Sequence, residues 1–195
     1  SDCGPTQSWH LMPAAWPPER EVSFLLIQAD AASRHGLILA LGAHHMAQKF
    51  KPGDIFGVPL PNNSMGIGQV LSLEPDALNS VGCVFFAATV SPSGLTGAME
   101  PIAALLVTPD LLKSGAWPVK SQGPVFLEPE ERPYEIHRAS HWVGVRVTGS
   151  GIVQEFLAAY QGLMPWDAWH DPHYLDSLLL PGVERPSHVV SSARA

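Results

Sequence analysis

The residues with the most chemical potential lie together in one stretch, 161–186, with the sequence QGLMPWDAWHDPHYLDSLLLPGVERP. It holds Trp166, Trp169 and Tyr174 together with Asp167, Asp171, Asp176, Glu184, His170 and His173. Between residues 165 and 184 it carries four acids and no Lys or Arg. Imidazoles beside carboxylates suit metal binding or proton transfer. Aromatics beside acids suit an interface, where Trp and Tyr anchor a partner and carboxylates oppose its Lys and Arg. The same residues also suit a structural role, with the tryptophans closing a core and Asp167 and Asp171 accepting hydrogen bonds from backbone turns.

The catalytic options thin out when spacing is considered. His137 and His141 stand four apart in strand-like sequence, where that separation spans roughly 13 Å at about 3.3 Å per residue, too far to chelate. A zinc site of His170 and His173 with Asp167, Asp171 and Asp176 remains conceivable but is not expected, and no cofactor is. Cys83 sits in the apolar run VGCVFFAATV, where a thiol stays protonated and inert. There is no Gly-x-Ser-x-Gly elbow and no P-loop. Gly66-Ile67-Gly68 lacks the third glycine and the following helix of a dinucleotide site. The expectation is therefore a protein that is not an enzyme. The acidic run Glu128, Glu130, Glu131 and Glu135 reads as a solvated loop, or as a second patch of a binding face.

Composition bounds the partner. A formal charge of −7 across 195 residues disfavours non-specific nucleic-acid binding, which needs clustered Lys and Arg, and suits a basic partner. Two cysteines in unlike settings make no disulfide framework, so a reducing cytoplasm is the expected location. The apolar runs fall short of the about 20 residues that span a bilayer, and no signal peptide is evident. With 46% hydrophobic residues the chain can bury one core, and its many Pro and Gly imply short elements and frequent turns.

Those elements divide the chain in three. Residues 1–45 are proline-rich at the start and aperiodic, and read as a poorly ordered extension or as sequence ahead of a true start at Met46. Residues 46–186 form the domain, and 187–195 a flexible tail. The domain opens with strands over 54–59 and 65–73 joined by a turn at 61–64, with Gly66 and Gly68 marking a bulge. A buried strand covers 81–90, a polar loop 91–97, a strand 102–107 and a capped turn 110–114. Short extended pieces are expected at 117–119 and 125–127, and alternating strands at 134–136 and 142–147. A helix over 152–160 ends at a C′ glycine, Gly162. The order implies an α+β fold: a small twisted antiparallel sheet or partly closed β-barrel, one main C-terminal helix, and an irregular C-terminal cover formed by the acidic segment.

Two groups of residues together resemble the immunity protein 26 family. One is Lys51-Pro52-Gly53-Asp54-Ile55-Phe56 with Pro59-Leu60 and Gly66-x-Gly68-x-Val70. The other is Tyr160-x-Gly162-Leu163-x-Pro165-Trp166-Asp167 with Asp171-Pro172-x-Tyr174 and Leu180-Pro181-Gly182. The likeness covers residues 50–186. The first group also resembles the opening of small toxin barrels of the MazF/PemK kind. The family resemblance implies a bacterial antidote that binds and neutralises a cognate toxin, commonly a nuclease, without a catalytic centre of its own. The toxin-binding candidates are then Trp166, Asp167, Trp169, His170, Asp171, Tyr174, Asp176 and Glu184. The alternative from residue chemistry is a small ligand- or nucleic-acid-binding barrel, with hydrolase activity around His170 and Asp171; a third is a structural interaction module.

Overall fold

The computed structural model of the chain describes residues 47–192. The expectations for residues 1–45 and for Met46 lie outside the described residues.

Strands β1 (Asp54–Pro59) and β2 (Met65–Glu74) pair antiparallel. Their turn is closed by Asn62, whose Oδ1 accepts from both the backbone N–H and the hydroxyl of Ser64, while Asn63 takes a left-handed φ of 61°. Strand β3 (Ser80–Ser91) pairs with β2 through two register shifts, one between Gly66 and Gly68 and one between Val70 and Ser72. The first is the bulge expected at those glycines; it lets a long strand bend without losing its ladder. Strand β4 (Gly94–Thr96) folds back on the end of β3, inside what the sequence suggests is a loop. Strand β5 (Pro101–Val107) follows on the same side of β3, then helix α1 (Asp110–Lys113) and strand β6 (Val119–Gln122) against the free edge of β1. Strand β7 (Val147–Thr148) adds parallel to β5. The sheet order is β6-β1-β2-β3-β5-β7, with β4 off that path. The fold is mixed α+β, but the seven-stranded sheet is open and does not close into a barrel.

Two expected strands are absent. Residues 133–140 form a 3₁₀ helix, following a first 3₁₀ turn at Pro129–Glu131. Each of these turns starts on a proline, whose fixed φ and missing N–H suit a helix start and spoil a strand. Of 142–147 only Val147 is in a strand, because Trp142 itself adopts a left-handed φ of 64°. The alternation of large and polar residues here reflects turns that bury Tyr134 and Trp142 one at a time. Residues 125–127 are likewise not a strand, although Phe126 and Leu127 are buried against the sheet.

Both sheet faces are covered, unequally. One face packs Phe56, Val58, Val70, Cys83 and Phe85 against helix α2 (Ser150–Tyr160), which buries Val153, Phe156 and Leu157. Trp117 is fully buried here, stacked on Phe56 at 5.5 Å and edge-on to Phe85 at 6.2 Å. The other face carries Ile55, Ile67, Leu71, Val84 and Phe86, covered by Phe126 and Leu127, and farther along by Tyr134 and Trp142. This double burial explains why β3 reads as a near-continuous apolar run rather than as an alternating one.

Candidate partner-binding surface

The acidic segment is positioned by the end of α2. Gly162, at φ 70°, donates to Ala159 O while Leu163 N–H donates to Ala158 O. This glycine-dependent double cap reverses the chain and sends it back over the helix. The turn delivers Trp166 into the core, where it is fully buried against Phe156 at 5.9 Å and Tyr160 at 6.5 Å. Its Nε1–H donates to Asp176 Oδ1 at 2.8 Å, and the other oxygen of Asp176 meets His173 Nδ1 at 3.0 Å. Of the sequence-derived candidates, then, Trp166 is a core residue and Asp176 is its hydrogen-bond partner.

The remaining candidates sit around that anchor. Asp167 accepts from the backbone N–H of Ser192, and Pro165 bridges Val190, so residues 187–192 run against the start of the segment. Asp171 accepts from His173 N–H within its own turn, leaving the carboxylate exposed. Trp169 and Tyr174 stack at 4.9 Å, both half-buried. The guanidinium of Arg146 lies 5.8 Å above the Tyr174 ring and donates to Ser177 Oγ at 2.9 Å. His170 and Glu184 are exposed. The aromatics and acids of the segment therefore separate into an inner set that fixes the chain and an outer set of His170, Asp171 and Glu184 that faces solvent.

Apart from this segment, the structure assembles a feature that sequence reasoning missed. At the end of the sheet where β2 turns into β3, Ala77, Leu106, Tyr134 and Trp142 form a small buried cluster. Arg138 clamps it: its guanidinium lies over Trp142 at 4.6 Å, bonds Glu74 at 2.7 Å and bonds Glu135 at 2.6 Å. The hydrogen bond from Arg138, against an opposing push from partial burial, holds the Glu135 carboxyl below its usual range. Four exposed apolar side chains border this cluster along the chain: Leu73, Leu78 at 80% exposure, Ile136 at 78% and Val143 at 73%. Two consecutive left-handed pairs, Leu78-Asn79 and His141-Trp142, shape the same end. Non-glycine residues in that conformation carry strain of order 1 kcal/mol each, which the buried cluster must offset. Only Asn79 gave a sequence signal, as a residue tolerant of positive φ. In the acidic run, Glu131 accepts from Glu128 N–H as a helix cap and Glu135 is ion-paired, while Glu128 and Glu130 face solvent.

The reactive groups sit as follows. Cys83 is fully buried, and burial pushes its thiol far above the ordinary range. His137 and His141 lie in and at the end of a 3₁₀ helix, not a strand, and His137 Nδ1 is engaged with Val143 O. Among the described residues no group of three or more His, Cys, Asp or Glu is placed to hold a metal ion. No helix among them is long and apolar enough to cross a membrane. No protein-family model, curated protein or solved structure matches this chain.

Proposed function

We propose that this chain is a non-enzymatic immunity protein that binds a cognate toxin of basic, nuclease-like character in the cytoplasm and neutralises it by covering the active site. The observation that carries this reading is the way the acidic segment is held. Trp166 is locked into the core and holds Asp176 at its edge by a hydrogen bond, and Asp171 is fixed by its own turn. The outward groups Asp171, Glu184 and His170 are thus presented on a supported backbone, next to the half-buried Trp169–Tyr174 stack. A surface ordered before contact loses little conformational entropy on binding. Exposed carboxylates steer a basic partner at high on-rate, which suits an antidote that must act before damage accumulates. The resemblance to the immunity protein 26 family at 160–182 supports the same reading.

The test is co-expression with the toxin domain encoded beside this chain's gene. Survival of cells that the toxin alone kills, together with a stable complex of the two purified proteins, is the expected result. If the neighbouring gene encodes no toxin, or the pair neither associates nor restores growth, the antidote reading fails.

A further inference from the structure

The sheet end opposite the Ala77–Trp142 cluster is built differently. There the second face of the sheet extends beyond the cover provided by Phe126 and Leu127, and a cleft of about 200 Å³ opens between the β1–β2 turn and the β3–β4 turn. Ile55, Met65, Ile67 and Val90 supply apolar walls, and Asn63 and Ser91 sit with them among the lining residues. Lys120, on the edge strand β6, is the one charged residue of the lining; no acid lines the cleft. Its ammonium makes no ion pair or hydrogen bond among the described residues. In a chain with seven more acids than bases, this exposed lysine is the charge that an anionic ligand would meet at the apolar mouth of the cleft.

One further feature fits a binding site better than a packing gap. The wall at Met65 is adjustable: a Cβ placed on Gly57 would lie 2.8 Å from the Met65 methyl carbon, so that flexible thioether fills the space which glycine vacates. Methionine repacks at low cost around ligands of differing shape.

We infer that this cleft binds a small amphipathic monoanion, an apolar body of medium length carrying one carboxylate, with the carboxylate at Lys120 and the body over Ile55, Ile67 and Met65. Size and charge select this class. The volume lies below the roughly 300–1,000 Å³ of sites for larger ligands, and a multiply charged ligand would meet a single cation in a field set by a net charge of −7. The site is independent of the toxin-binding reading, since none of its residues belongs to the acidic segment.

Decanoate is the probe, titrated by calorimetry below its micelle concentration, with decylamine and decanol as matched-chain controls and a short peptide ending in a free-acid phenylalanine as a competitor class. Saturable one-to-one binding of decanoate is expected, with decanol and decylamine weaker. Lys120→Gln should weaken decanoate about three-fold, in line with a part-exposed ion pair, and Lys120→Glu should favour decylamine instead. Lys113→Gln, on α1 away from the cleft, should leave binding unchanged. Lys120 is exposed, so its variants are expected to fold; thermal melts check this. The inference is overturned if decanoate does not saturate, if the Lys120 variants bind it as the parent does, or if the peptide binds more tightly than decanoate.

Discussion

Trp166 donates its indole N–H to Asp176 at 2.8 Å, so a carboxylate that reads in sequence as surface charge is the polar partner of a core tryptophan. The pairing decides how the acidic segment should be mutated. Asp176→Ala leaves a buried indole donor unsatisfied and should lower stability by about 1–3 kcal/mol. Trp166→Ala removes a large buried side chain and should cost about 3–5 kcal/mol. Urea unfolding of both variants measures these losses. Equal stability of Asp176→Ala and the parent would show that the bond contributes nothing.

The outer residues should behave oppositely. Asp171→Asn with Glu184→Gln removes two exposed charges and should change stability by no more than about 0.5 kcal/mol. With the toxin in hand, the same double variant should associate more slowly and show a shallower dependence on ionic strength. Stopped-flow association at several salt concentrations is the measurement. Unchanged rates would remove the acidic face from the mechanism while leaving the antidote role standing.

Stability should fall on acidification through two identified carboxyls. Partial burial pushes Asp110 upward, but hydrogen bonds from the Thr108 and Ser150 hydroxyls and from the backbone N–H groups of Asp110 and Leu111 outweigh it and hold the group below its ordinary value. Glu135 is lowered by its bond to Arg138. A carboxyl with a depressed folded-state pKa stabilises the fold above its unfolded value, near pH 4, and loses that contribution as pH drops through the folded value. Urea midpoints should therefore decline from about pH 4.5 downward, and Asp110→Asn should flatten part of that decline. An identical acid limb in the variant would assign the effect elsewhere.

Cys83 should be chemically silent in the native state. It is fully buried in β3, and its thiol is raised far above the usual range by that burial. In a Cys3→Ser background, where Cys83 is the single remaining thiol, a disulfide reagent should react only at the rate of unfolding. Rapid native-state labelling would mean that the sheet opens locally around β3.

The legible parts of the fold were those governed by local chemistry. The β1–β2 turn came from Asn62 and Asn63, the bulge from Gly66 and Gly68, and α2 from its apolar spacing and the cap at Gly162. The strands assigned to 134–136 and 142–147 failed for a tertiary reason. Tyr134 and Trp142 are each drawn separately onto the sheet, and the chain between them turns to allow it. A period-two pattern cannot be told from two independent anchors in so short a window. The division of labour within the acidic segment was not legible. Nothing in the spacing of Trp166 and Asp176 announces that they bond, because that bond depends on where Gly162 turns the chain. Lys120 and the exposed pair Ile136 and Val143 carried no signal, being unremarkable residues until the sheet gathers their neighbours.

The bridge between Pro165 and Val190, with Trp166 N–H donating to Val190 O at 2.8 Å, has one more consequence. It closes the intervening chain into a ring fastened at its neck. Opening that neck frees the tail beyond Val190, while Trp166, Leu175 and Leu178, buried in the core, keep the acidic turns in place. Amide exchange at Trp166 therefore reads the opening of the neck directly, apart from any motion of the acidic turns.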